Sequence, residues 1–174
     1  MPLATSIPDC ARRPWSRADK ASLVANANNR KVWLNLTESF PHPYTERDAE
    51  EWFEVAACSG PSVPLAITLG RHAIGGIGAI GGNGVCVRTA HFGHWLGEPY
   101  WGKGIATAAA LALLQHLGSE TSFARLEARV FAWNPASMRV LEKVGFRREG
   151  LLRASVSKDG QLIDSVMYAY IIGA

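Results

Sequence analysis

The sequence predicts one α/β domain built on a mixed sheet, and two observations carry that prediction. Helical apolar stripes and short apolar runs alternate in the order helix, helix, three strands, helix, strand, helix, two strands. Turn residues mark nearly every boundary, and no linker, repeat or low-complexity stretch divides the 174 residues, so residues 1–174 read as a single domain with a sizeable core.

Each element has a local cause. Ser16 and Asp19, three residues apart, form a helix start, and that helix runs to about the asparagine-rich NANNR at 26–30. Pro41 and Pro43 hold the following FPHPYT extended, and Thr45 with Asp48 caps a second helix. Its buried stripe is Ala49, Trp52, Phe53, Ala56 and Ala57; its wet face is Glu46, Asp48, Glu50, Glu51 and Glu54. Around Gly60, Pro61 and Pro64 the period changes, and PLAITL, AIGGIGAIGG and TAHFGHWL read as antiparallel strands. The helix from Ile105 to about Leu117 is apolar on nearly every face and should lie buried against the sheet. Strand RLEARVF comes next. Then Asn134 caps a helix, Pro135 suits its first position, Met138, Leu141 and Val144 form its stripe, and Gly145 supplies the left-handed stop. Two strands, LLRASVS and LIDSVMYAYII, close the chain around the turn KDG.

Composition excludes several classes of function. The 18 basic and 15 acidic residues leave a net charge of +3 without a run of five like charges, so no nucleic-acid-binding tail is expected. Cys10, Cys58 and Cys86 are odd in number and form no C-x-x-C, which argues against a disulfide framework and against a metal site and points to a reducing compartment. Neither a signal peptide nor an uninterrupted apolar run of membrane-spanning length is present, so the expectation is a soluble, cytoplasmic protein with no membrane partner.

Two glycine-rich stretches compete as phosphate sites. GIGAIG at 76–81 matches G-x-G-x-x-G, but it runs directly into GNGVCVRTA, with no helix opening inside the motif. Its glycines read as bulges or close-packing points in a strand. EPYWGKGIATAAALALL at 98–114 does lead from a loop into a helix, where unpaired N–H groups and the positive dipole end attract an anion. It is neither a Walker A loop nor a dinucleotide fingerprint, and taken alone it fits a tight strand-to-helix turn as well as a phosphate cradle.

WGKGIA followed some thirty residues later by N-P-A-S…GF resembles the GNAT acetyltransferase superfamily, whose pyrophosphate loop is R/Q-x-x-G-x-G/A. Trp101 stands at the R/Q position, Gly104 at the glycine and Ala106 at the small terminal residue. FPHPYT with DAEEWF, HWLGEPYWGKGIAT, NPASMRVLEKVGFRREG and DSVMYAYI are similar to the branch of ribosomal-protein N-terminal and spermidine acetyltransferases, over about residues 15–172. The resemblance implies a mostly antiparallel twisted sheet flanked by helices, with acetyl-CoA as donor bound at a splayed strand pair. Backbone N–H groups of Trp101, Gly102, Lys103, Gly104, Ile105 and Ala106 would cradle its pyrophosphate, with Lys103 adding charge. Peptide groups near Trp95, Leu96 and Gly97, on the family's fourth strand (here about 90–96), would hydrogen-bond the pantetheine arm and polarise the thioester carbonyl. Asn134 and Ser137 match the family's positions beside that arm.

The chain also departs from the family. Four residues after Ser137, where many members place a tyrosine acid, stands Leu141, so the resemblance assigns protonation of the departing sulfur to Ser137. His91 stands where relatives often carry Glu and is the candidate base, a free imidazole titrating near pH 6.5. His94 stands where they often have Tyr, and strand alternation puts the two histidines on opposite faces. Val156 replaces a carboxylate of ribosomal-type relatives. His42 and Tyr44, in the proline-held segment, and Asp164 on the last strand are the candidate acceptor contacts, and Glu98 is read as ordering the loop. The implied reaction is direct acetyl transfer to a primary amine: a peptide N-terminus, amino acid, polyamine or other small amine. A non-catalytic CoA-binding module is the competing expectation, and the oligomeric state stays open, relatives often being homodimers.

Overall fold

The computed structural model describes residues 3–58, 60 and 62–173; Pro61, one of the predicted breakpoints, lies outside the described residues. Among the described residues eight strands and five α-helices run in the order β1 (Leu3–Ala4), β2 (Cys10–Pro14), α1 (Lys20–Ala27), α2 (Arg30–Trp33), α3 (Glu46–Ala57), β3 (Val63–Leu69), β4 (His72–Gly81), β5 (Thr89–Leu96), α4 (Ile105–Glu120), β6 (Arg125–Phe131), α5 (Pro135–Lys143), β7 (Arg147–Lys158) and β8 (Gln161–Ile171). They form one sheet in the order β1-β2-β3-β4-β5-β6-β8-β7. Every neighbouring pair is antiparallel except β5 and β6, which are parallel.

The predicted caps form as expected. Ser16 with Asp19 and Thr45 with Asp48 each make a reciprocal capping box, and Asn134 accepts from Ser137 N at the start of α5. The first predicted helix, however, is broken. A 3₁₀ turn at Arg17–Asp19 precedes α1, and Asn29 then restarts the chain as α2 by accepting from the N–H groups of Lys31 and Val32. The short strands β1 and β2 escape prediction from the sequence because CARRP carries two arginines and a proline. In the structure Cys10 and Arg12 nonetheless occupy the buried face of β2, so a charged side chain stands at a core position.

Two cores sit on opposite faces of the sheet. The larger packs α4 and α5 on it through Leu113, Leu117 and Leu141 against Ile67, Ile77, Ala90, Phe92 and Leu126. The smaller gathers Leu23, Ala27, Tyr44, Ala49 and Phe53, with Trp95 and Trp15 against it. The geometry of β4 accounts for its glycine-rich sequence. A Cβ on Gly75 would stand 2.3 Å from Trp95 O, one on Gly76 2.6 Å from Trp95 Nε1, and one on Gly78 2.6 Å from Val63 O. These glycines let neighbouring strands and an indole approach, as expected of close-packing points. Among the described residues no helix is long and apolar enough to cross a membrane.

Candidate active site

The central feature is a gap in the sheet. β5 and β6 pair only at Thr89–Arg125, Ala90–Leu126 and His91–Glu127, although both strands continue for several residues. Beyond His91 the β6 side of β5 therefore has no ladder partner. The register also says which groups face the gap. Gly97 N donates to Ile74 O at 2.9 Å, while Leu96 lies opposite Gly75. Leu96 is thus in a non-hydrogen-bonded pair with β4, and the peptide N–H groups of Phe92, His94 and Leu96 turn toward the gap. This corrects two of the three expected donors: the N–H groups of Gly97 and, by the same alternation, of Trp95 opposite Gly76 are turned toward β4 and satisfied within the sheet, which of the three leaves only that of Leu96 to a ligand in the opening. The Leu96 carbonyl is taken as well, by the Trp101 indole N–H at 2.8 Å.

Below the gap the chain makes a 3₁₀ turn, Glu98–Tyr100, and enters α4 through Trp101, Gly102, Lys103 and Gly104. Gly102 and Gly104 have φ of +73° and +76°, values that side chains with a Cβ resist, and a Cβ on either would meet nothing within 4 Å. The turn is thus left-handed at two points and open above. No side chain caps α4, so the N–H groups at Gly104, Ile105 and Ala106 are left at the positive end of a 16-residue helix. Lys103 stands 5.8 Å from the Tyr100 ring, and Lys103, Thr107, Leu111 and Lys143 border an open groove of about 360 Å³ along the first turns of α4.

Of three asparagines predicted to mark a helix end, Asn26 and Asn29 hold this turn in place, and Asn28 fixes the neighbouring Tyr44 segment. Asn26 donates to Ser22 O and Ala73 O and lies so close to Gly97 that a Cβ there would stand 2.1 Å from its Oδ1. Asn28 accepts from Tyr44 N at 3.1 Å, and Asn29 donates to Glu98 Oε2 at 2.9 Å. Lys31 pairs with the other oxygen of Glu98, and both contacts hold that carboxyl below its ordinary range. Glu98 is a strut between α2 and the loop, as expected. The signal in the sequence was the clustering of asparagines at 26, 28 and 29, side chains that bond backbone and carboxylate alike.

The candidate catalytic residues differ in exposure and in their partners. Ser137 is half-buried at the third position of α5; its N–H bonds Asn134 Oδ1 at 3.1 Å, and its hydroxyl has no partner among the described residues. His91 is exposed where the gap begins, opposite Glu127, whose carboxylate accepts from Arg125 Nε at 2.8 Å. His94 lies on the other face of β5, its ring centroid 6.1 Å from Phe92. Part of the residue reaches solvent, yet packing of the ring in the apolar layer lowers its pKa to about 4, so it is neutral at neutral pH. Leu141 is 1% exposed, a core residue.

The candidate acceptor contacts are not equivalent. His42 is exposed and stacks on Trp33, centroids 5.7 Å apart, on a segment bent by a cis His42–Pro43 bond. Tyr44, in contrast, is 5% exposed in the smaller core, and burial pushes its phenol upward. It packs rather than lines a pocket. Asp164 is also engaged: its Oδ1 accepts from Ala154 N at 2.8 Å and pins a bulge where Ala154 has φ +48°. Trp33 carries Lys158 on its ring face, Nζ 3.6 Å from the centroid. Glu38 Oε1 lies 3.0 Å from the same Nζ, a pairing by charge outside hydrogen-bond geometry.

The fold that carries this gap, glycine turn and uncapped helix has solved counterparts. The GNAT acetyltransferase domain model matches residues 12–147. The chain belongs to the GNAT acetyltransferase family. A probable N-acetyltransferase of Bacillus subtilis, YjcK, is 38% identical over 85 residues, covering 49% of this chain and 47% of that protein. The chain thus matches about half the length of that curated relative. Among solved structures, Mycobacterium smegmatis RimJ in complex with CoA-disulfide superposes with a TM-score of 0.79 at 26% identity, covering 98% of this GNAT chain and 86% of RimJ. RimL, a ribosomal alpha-N-protein acetyltransferase in complex with coenzyme A, reaches 0.84 at 20% identity, covering 99% and 98%.

Proposed function

We propose that this GNAT protein transfers an acetyl group from acetyl-CoA to a primary amine in a ternary complex. The observation that carries the reading is the unpaired opening between β5 and β6 that ends at the uncapped start of α4. Residues 102–106 hold the pyrophosphate by main-chain N–H groups, for which two left-handed glycines with open space above them are the fitting residues; the Trp101 N–H, expected to join them, is spent on Glu98 O at 3.1 Å. Acetyl-CoA supplies the activated acyl group. The N–H groups of Leu96 and His94 are the donors available to a carbonyl oxygen in the gap, the electrostatic contribution that usually dominates acyl transfer. Ser137, whose hydroxyl has no partner among the described residues, donates a proton to the leaving sulfur, and His91 at the opening takes the proton of the amine. His42 borders the acceptor side. The α-amine of a peptide is the acceptor suggested by the likeness to RimL, a ribosomal alpha-N-protein acetyltransferase.

Release of free CoA thiol across a panel of peptides, amino acids and polyamines tests the reading. Amine-dependent release that falls about 10- to 10⁴-fold in Ser137→Ala, with CoA affinity unchanged, is expected of a general acid. CoA binding without release for any amine would instead favour a non-catalytic CoA-binding module.

A further inference from the structure

The far end of α4 borders a second cavity, of about 290 Å³, closed on the other side by the N-terminal strands. His116, in its wall, lies twelve residues beyond Gly104, about 18 Å along the helix at 1.5 Å per residue, so this cavity is separate from the glycine turn. Arg12 lines it from β2. The residue is 2% exposed, and its Nε and Nη1 are sealed from solvent with no hydrogen-bond partner. Among the described residues no carboxylate lies within ion-pair distance of it. The next residue shows the contrast, since Arg13 makes two hydrogen bonds to Asp19 at 2.7 and 2.6 Å.

A buried guanidinium without a counter-charge is costly, and in native proteins such a group usually marks a bound ion or water. Burial lowers the Arg12 pKa only to about 10, so the group is still a cation at neutral pH. Its third nitrogen, Nη2, is not sealed and is the donor an oxyanion in the cavity can reach, and Gln115, His116 and Ser119 bring further polar groups to the same wall. We propose that this cavity binds a small oxyanion, a carboxylate or phosphate group, on the Arg12 guanidinium. The volume is at the lower limit for ligand pockets and suits a small molecule. Glu120, the one acidic residue lining it, selects against highly charged anions. The site does not depend on acetyl transfer.

The test is thermal unfolding of the whole protein at pH 7 and constant ionic strength, with chloride exchanged for acetate in one series and phosphate in another. Saturating CoA is present throughout to occupy the glycine turn. The expected result is a saturable rise in Tm with half-effect at millimolar anion. A response to acetate alone identifies a carboxylate ligand, to phosphate alone a phosphate ligand, and to both the shared chemistry. Arg12→Met keeps the apolar stem and should remove the response while raising Tm in chloride. Gln115→Glu, at an exposed wall residue, places a carboxylate in the cavity and should weaken anion affinity at least tenfold with Arg12 intact. A response that never saturates, or that is equal in wild type and Arg12→Met, overturns the proposal. Should Arg12→Met fail to fold, unchanged affinity in Gln115→Glu overturns it alone.

Discussion

Gly104→Val separates a conformational demand of the loop from its ligand-binding role. Gly104 sits at φ +76° with nothing within 4 Å of an added Cβ, so the substitution meets no wall and its folding penalty is conformational. A left-handed residue bearing a Cβ costs about 1–2 kcal/mol. For a chain of 174 residues, that is roughly a 2–8 °C fall in Tm, and the domain stays folded at 25 °C. The same open space is where a pyrophosphate must approach the α4 N–H groups, and the branched side chain would fill it. Losing one charge-assisted hydrogen bond, about 1.5–3 kcal/mol, lowers CoA affinity roughly 10- to 150-fold. Calorimetric titration with CoA beside a thermal melt reads both quantities. Gly118→Ala is the control: it lies in the same helix, its Cβ would stand 3.7 Å from Ile172 Cγ2, and it should leave affinity untouched while stabilising by about 0.5–1 kcal/mol. A folded Gly104→Val protein with wild-type affinity would refute the placement of the pyrophosphate.

Other consequences are equally direct. The His94 imidazole titrates near 6.5 unfolded and at about 4 folded, so its contribution is complete above pH 6.5 and is lost as pH falls toward 4. Urea unfolding should show about 2–3 kcal/mol more loss over that window in wild type than in His94→Gln, and parallel curves would count against a buried neutral ring. If His91 is the base, His91→Gln should abolish a rising limb of kcat/KM whose position is independent of acceptor basicity, with CoA binding intact; an unchanged rate would assign proton removal to solvent. Gly75→Ala pushes a Cβ to 2.3 Å from a backbone oxygen and should destabilise by about 1–3 kcal/mol or more, whereas Gly93→Ala, on the next strand with open space, should be neutral or stabilise by up to about 1 kcal/mol in the same melt.

Much of the fold was legible because its signals are local. Capping boxes at Ser16 and Thr45, the Asn134–Pro135 start and the Gly145 stop each depend on residues within one turn of one another, and all three caps form where those residues stand, although the one at Ser16 opens a 3₁₀ turn that leads into α1. Glycine spacing ahead of an apolar helix likewise located the turn at 101–104, since left-handed backbone is a property of individual residues. The N-terminal strands escaped because Arg12 breaks the alternation of polarity that marks a strand, and only the position of α4 above β2 makes that site buried.

Long-range placement decided the rest. Whether a peptide N–H faces the gap or the sheet depends on a register between strands distant in sequence; this removes Gly97 as a donor and leaves Phe92, His94 and Leu96 pointing into the opening. Tyr44, Asp164 and the three asparagines changed meaning for the same reason: a polar side chain carries the same donors and acceptors wherever it stands, and tertiary packing selects which partner comes within hydrogen-bond reach. By itself the sequence determined the elements, their caps and the glycine turn, through interactions that close over a few residues. The gap between β5 and β6, the face each histidine presents and the partnerless cation of Arg12 were decided only by the tertiary structure, because each depends on which distant segments meet, or fail to meet, across the sheet.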